Sequence, residues 1–368
     1  MTRASGVRDD LQIADRSCEV RPDFLAHTRS AFAAAADASP SGIETIDLRF
    51  ARRPVRLRVA GPLLASQLRR AYRMLIADDA PSRESPALTI DAWDREHTGI
   101  GCPGVPHAPE STDALGGGLV TQFGGGAVLR FERASAVSAL DRASAELFHC
   151  VHNAGETEVY LRSKPFHELL ATWYRDRGVH QVHAGLVARD GRGVLFGGCG
   201  GSGKTTSTIA CSLAGFDFLG DDHVGVEISD DGAVGHAFYA CVRTDDELAS
   251  RFPGLAQARL APIGRWERKG MVCMADLQEC RTARAARIAA IVIPELRGTG
   301  PARLAAVDRA TALRRLAPST LLVPFGGGAR GLAVLGELVR RVPAYRLEIG
   351  DALQAIPQRI GELLAELA

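Results

Sequence analysis

Lysine is nearly missing from this chain: of 44 basic residues only three, Lys164, Lys204 and Lys269, are lysines, and the rest are arginines. A dominant charge is missing too. The 43 acidic residues leave a formal charge of +1, which argues against a bulk electrostatic partner such as duplex DNA or an anionic membrane face. No uncharged apolar run reaches the roughly 18 residues of a membrane helix. The polar start, Met1 to Arg16, lacks the apolar run that a secretory signal places after a basic head. The eight cysteines form no Cys-x-x-Cys pair, and Cys273 and Cys280 are too far apart for a zinc knuckle. Scattered single thiols predict a reduced, cytoplasmic protein.

What is present suits a globular protein. Apolar residues make up 46% and charged residues 24%, enough for a sizeable core and too balanced for wholesale disorder. At roughly 150 residues per domain, 368 residues predict two domains. Residues 1–40 lack strong periodicity and predict a poorly ordered or peripheral segment, with the first 20 frayed. Ile43–Phe50 and Val55–Val59 predict a hairpin about Ala51–Pro54. Leu63–Leu75 predicts a helix, Ala87–Asp94 a strand, Glu96–Gly118 a long loop, and Val120–Phe123 with Ala127–Phe131 a second hairpin. Lys164–Gly178 reads as one helix, with Pro165 in its first turn and Gly178 as its stop. Beyond it come strands at His180–Ala188 and Gly193–Phe196, a helix at Lys204–Ala214 and a strand at Phe216–Leu219. Strands at Ala289–Ile293 and Ala344–Ile349 then alternate with helices at Arg309–Ala317, Gly331–Arg340 and Ala352–Ala368.

The segment with the most chemistry in it is Gly193-Val-Leu-Phe-Gly-Gly198-Cys-Gly200-Gly201-Ser202-Gly203-Lys204-Thr205-Thr206. Residues 198–205 fit G-x-x-x-x-G-K-[ST], with an apolar strand before and a helix-forming run after. Random placement of this chain's glycines, lysines and hydroxyl residues gives only about 0.003 expected matches. Glycines let successive N–H groups turn onto a polyphosphate. Lys204 then reaches the β and γ oxygens, Thr205 offers a hydroxyl to Mg²⁺, and the helix N-terminus adds partial positive charge. The same letters also fit the dinucleotide fingerprint G-x-G-x-x-G. Against that reading, Lys204-Thr205 has no task in such a turn, and the motif lies mid-chain behind a β-rich segment.

The next predicted strand ends in Gly220-Asp221-Asp222-His223-Val224. An acid there can face the phosphates and hold a metal directly or through water. Adjacent side chains at a strand end point to opposite faces, so the two acids predict different tasks, one toward Mg²⁺ and one toward a nucleophile. The bland alternative is a solvated turn. His183, at the start of the preceding hairpin, taken alone reads as a core histidine.

His183, Lys204 and Asp222 follow one another at intervals of 21 and 18 residues, joined by Gly193-Val-Leu, Gly203-Lys204-Thr205 and Asp221-Asp222-x-Val224. In this the segment 180–226 resembles the C-terminal domain of the bacterial HPr kinase/phosphorylase family. The resemblance implies an α/β P-loop kinase domain, at 164–368, with a fold related to phosphoenolpyruvate carboxykinases; it does not extend to the N-terminal region, where the strand pattern itself predicts a smaller β-rich α+β domain at 41–163. The resemblance also implies ATP and Mg²⁺, serine kinase activity, Asp222 as the base toward the acceptor hydroxyl, and His183 beside the phosphates. Thr205 replaces the family's serine. Glu295-Leu-Arg-Gly-Thr-Gly300 resembles the family's metal-binding signature but lies 73 residues past Asp222, and its spacing reads as coincidence. That departure points away from HPr itself. Divergent members of the wider group act on other hydroxyls, including a serine ending a ribosomal peptide.

The sequence therefore predicts phosphoryl transfer from MgATP to a hydroxyl, on a peptide, a protein or a small molecule. Lys204 and the loop amides would hold the phosphates, Thr205 and Asp221 the metal, and Asp222 would orient and deprotonate the acceptor. A homo-oligomer is left open. Two other classes remain: a P-loop NTPase switch in which Asp222 positions water, and a non-catalytic nucleotide sensor. Arg265, Arg268 and Lys269 form a second basic candidate, either a phosphate clamp or a solvated loop. Arg281, Arg284 and Arg287 predict an exposed helix face.

Overall fold

The computed structural model describes residues 24–77, 84–101, 118–123, 127–132, 136–263, 267–321 and 328–367. The fraying expected of residues 1–20, most of the 96–118 loop, the 124–126 turn and Arg265 lie outside them. The protein is a mixed α/β structure with two large sheets. Among the described residues no helix is long and apolar enough to cross a membrane.

The first sheet has the order Ile43–Phe50, Arg53–Ala60, Leu88–Asp94, Glu146–Val151, Ala136–Asp141, Ala127–Glu132, Gly118–Phe123. Its first hairpin turns at Ala51 and Arg52, both at positive φ, the twist that a two-residue connection between antiparallel strands demands. Val55, Leu57 and Val59 alternate inward, where the helix Pro62–Ala71 covers them with Leu64, Ala65 and Leu68. The opposite face is covered by Phe24–Ala38. Those residues, read from sequence as lacking periodicity, form a helix that seats Phe32 against Trp93. Its alanines carry little contrast between faces, so the buried positions Phe24, Thr28, Phe32 and Ala35 stand out only once the sheet is present. The strands Ala136–Asp141 and Glu146–Val151 were not anticipated.

The second sheet runs Arg281–Thr282, Asp217–Gly220, Gly185–Arg189, Arg192–Phe196, Ala285–Leu296, Gly232–His236, Val224–Ser229, Val179–Val182. Ala344–Ile349 pairs in parallel with the far half of Ala285–Leu296. The helices Lys204–Leu213 and Ala355–Glu366 share a core with Val187, Val194 and Phe196. Arg309–Leu321 and Gly328–Arg341 place Leu316 and Leu335 in the larger core with Leu186, Leu195 and Ile291. That larger core is continuous from Ile46 in the first sheet to Ala344 in the second. Burying one leucine or phenylalanine in it stabilises by roughly 1.5–3 kcal/mol.

Two sequence expectations are corrected here. The single helix expected over Lys164–Gly178 is present but starts late, at His167, and runs to Arg175, so Pro165 precedes it; a separate short helix, Val159–Ser163, ends just before Lys164. Proline disfavours the helical region for the residue before it, and Lys164 takes φ −145 and ψ 60. Gly178, at φ 83, does end the second helix as expected. Arg281 and Arg287 lie on strands and Arg284 in the bend between them, not on a helix face; in the longer strand Ala286, Ile288 and Ala290 are buried at every second position. Arg281 pairs with Asp217, and Arg284 donates to the carbonyls of Met74 and Ile76.

Candidate functional site

The strand Arg192–Phe196, the loop 197–203 and the helix Lys204–Leu213 follow one another as the motif predicts. In a dinucleotide-binding βαβ unit the strands before and after the helix lie side by side. Here Gly185–Arg189 runs antiparallel between Arg192–Phe196 and Asp217–Gly220, which removes that reading. Gly198 sits at φ 137 and Gly203 at φ 105, backbone that side-chain-bearing residues rarely adopt. A Cβ on Gly203 would lie 2.8 Å from Ile349 Cδ1. Gly200 and Gly201 are exposed. Gly203 caps the helix without a side-chain bond, so the first-turn N–H groups have no capping side chain.

Lys204 is buried and folds back over the loop, donating to the carbonyls of Gly198 at 2.9 Å and Cys199 at 3.0 Å. Burial pulls its pKa down, against the opposing pull of Asp222 and Asp221. Ser202 Oγ is buried without a hydrogen-bond partner, and Thr206 is half-buried in the first turn.

Thr205 Oγ1 donates to Asp221 Oδ2 at 2.9 Å. Asp221 is 1% exposed, and its Oδ1 is buried with no hydrogen-bond partner. Burial and the neighbouring Asp222 push its pKa up to about 6, against Lys164, Thr205 and Lys204. An orphaned carboxylate oxygen beside a threonine hydroxyl suits Mg²⁺, a hard cation that takes few protein oxygens and keeps waters or phosphates. No group of three or more His, Cys, Asp or Glu able to hold a metal occurs among the described residues.

Asp222 faces elsewhere. Its backbone is left-handed at φ 64, and its carboxylate takes His183 Nε2 on Oδ1 at 3.3 Å and Lys164 Nζ on Oδ2 at 2.5 Å. Burial would raise this carboxyl's pKa, but the Lys164 ammonium and the His183 bond outweigh it and hold the carboxyl well below the usual range. His183 Nδ1 meets the Ser319 carbonyl at 3.1 Å, and a carbonyl only accepts, so Nδ1 is the donor there. The His183 ring stacks over His223, which burial, Lys164 and His167 keep neutral.

Lys204, Thr205, Asp221, Asp222 and His183 thus lie together beside the glycine loop, and two further residues join them. Lys164, expected only to start a helix, is 1% exposed and paired with Asp222. Glu295, set aside on spacing, lines a cavity of about 430 Å³ with Gly198, Cys199 and Ser202, where it holds Arg315 at 2.9 Å and Arg297 at 3.3 Å. Its strand pairs in parallel with the loop-bearing strand, so both strands end beside the loop. Glu267 lies in the second basic candidate and accepts from the N–H groups of Val159 and Tyr160, both at 2.8 Å. Arg268 and Lys269 next to it are exposed, and Lys269 is near enough to Lys204 to oppose its charge.

No protein-family model and no curated protein matches this chain. Among solved structures it is similar to the HPr(Ser) kinase/phosphatase from Coxiella burnetii, at 12% identity and a TM-score of 0.26. The match covers 51% of this chain and 95% of the other. The likeness is distant, and the reading of the site rests on its own residues.

Proposed function

We propose that this protein is an ATP-dependent kinase that transfers the γ-phosphoryl group to a hydroxyl, with the phosphate loop and its acids forming a catalytic unit within residues 164–368. The observation that carries this reading is the division of labour between two adjacent acids. Asp221 turns to the loop hydroxyl of Thr205, and Asp222 turns to His183 and Lys164.

Lys204, the loop amides and the helix N-terminus bind and orient the polyphosphate. Nucleotide binding would draw the Lys204 ammonium from the Gly198 and Cys199 carbonyls to phosphate oxygens. Mg²⁺, held by Thr205 and Asp221, would supply charge neutralisation on the phosphates. Asp222 orients the acceptor hydroxyl and takes its proton as the new oxygen–phosphorus bond forms and the bond to the departing ADP breaks. A carboxylate held ionised is a weak base, and the loose transition state of phosphoryl transfer asks for little early proton removal. His183 Nε2 stands within hydrogen-bond reach of that carboxylate and can hold its Oδ1 in place.

Incubation with γ-labelled ATP, Mg²⁺ and a panel of hydroxyl compounds (serine peptides, free hydroxy amino acids, sugars) tests the proposal. Label on an acceptor supports it. Release of free phosphate alone would make the protein an NTPase, and binding without turnover a nucleotide sensor.

A further inference from the structure

Lys164 is the least expected member of the site. Its side chain is 1% exposed, and a buried ammonium is costly unless an anion meets it. The anion is Asp222, whose own side chain keeps 27% exposure and so a face open to a substrate.

The chain goes to unusual lengths to aim this lysine. The short helix Val159–Ser163 is tied at its start by the Glu267 carboxylate and breaks at Lys164. The break is pinned at the Pro165 carbonyl, which accepts from Tyr72 Oη at 2.8 Å and Tyr239 Oη at 3.2 Å. Phe166 then takes a left-handed φ of 56, an uncommon backbone for an aromatic residue, before the next helix starts. Tyr72 follows the helix of the first sheet, so both halves of the protein hold the lysine in place. Composition agrees. In a chain that uses arginine almost everywhere, two of its three lysines are buried here, each a compact ammonium in place of arginine's planar fork.

We propose that Lys164 is a positioning residue of the phosphoryl-transfer site, its ammonium fixing the Asp222 carboxylate at the angle that presents it to the acceptor hydroxyl. This rests on the kinase reading. Lys164 gives up no proton in the step: it holds Oδ2 while His183 holds Oδ1, and the remaining lone pairs serve the hydroxyl.

The test compares wild type, Lys164→Met, Asp222→Asn and the double variant for kcat, ATP KM and thermal midpoint, with γ-labelled ATP, Mg²⁺ and the hydroxyl compound of the panel that takes up most label from wild type. Lys164→Met is expected to lower kcat about 100-fold, the cost of a misplaced catalytic group, with ATP KM within about threefold of wild type. In the Asp222→Asn background, removing Lys164 is expected to change the residual rate less than about twofold, because the lysine acts through that acid. An unchanged kcat in Lys164→Met, a loss confined to KM, or fully additive losses would each overturn the role. If Lys164→Met does not fold, Lys164→Gln and the charge-free double variant give the same comparison. Wild type that binds ATP and never turns over overturns the kinase reading and this one together. Wild type that turns over beside an unaffected Lys164→Met overturns this one alone.

Discussion

Thr205 Oγ1 donates to Asp221 Oδ2, and the other oxygen of the same carboxylate is buried without a hydrogen-bond partner. A carboxyl with a pKa of about 6 in the folded protein, against about 3.9 unfolded, stabilises the fold fully below pH 4 and loses that contribution as pH rises through 6. Asp221→Asn is therefore expected to be more stable than wild type above pH 6 without metal, by on the order of 2 kcal/mol, and to lose that advantage near pH 4. Thermal melts of both proteins across that range check the sign. The same variant should lose the rise in melting temperature that Mg²⁺ gives wild type at pH 7.5, a rise expected to shrink toward pH 5 as Asp221 takes up its proton.

Asp222→Asn keeps the shape of the side chain and removes its charge. Transfer is expected to fall about 1,000-fold with ATP affinity within a few-fold of wild type, as for loss of a general base that makes no contact with the nucleotide. Labelled-ATP kinetics beside equilibrium binding separate the two effects. Unchanged transfer would remove Asp222 from the chemistry.

Gly203→Ala places a methyl 2.8 Å from Ile349 Cδ1 at a residue with φ 105. A loss of about 1–3 kcal/mol is expected from the strained backbone and the clash, together with weakened ATP binding as the first helical turn shifts. Denaturant unfolding and calorimetry measure both losses. Ala at Gly200, with nothing within 4 Å of its Cβ, is the control.

Cys199 is an exposed thiol in the middle of the loop. MgATP should slow its alkylation about tenfold or more, read by peptide mass spectrometry. The fully buried Cys211 of the following helix should stay unmodified throughout. Equal labelling with and without nucleotide would place the phosphates somewhere other than over this loop.

The features legible from sequence were those encoded locally. Strand, glycine loop, Lys204 and helix are contiguous, and their backbone needs are written in adjacent letters. The acids were legible as a pair with different partners, but not for the reason of strand alternation: the strand ends at Gly220, and the left-handed bend at Asp222 turns the two side chains apart. What escaped depends on sheet order and on chain reversals. Lys164 meets Asp222 across 58 residues, and only the break enforced by Pro165 turns it inward. Glu295 looked misplaced by spacing along the chain, yet the parallel pairing of its strand with Arg192–Phe196 brings it to the loop. Arg284 read as a solvated face because its carbonyl partners, Met74 and Ile76, belong to the other half of the protein.

The Tyr72–Pro165 hydrogen bond has a consequence for modular exchange. A fragment cut after Gly178 would keep the glycine loop, both acids and His183. It would lack Lys164, the pinned carbonyl and the tyrosine that pins it. On the kinase reading, grafting this half onto a foreign N-terminal partner would transplant a nucleotide grip without the clamp on its base.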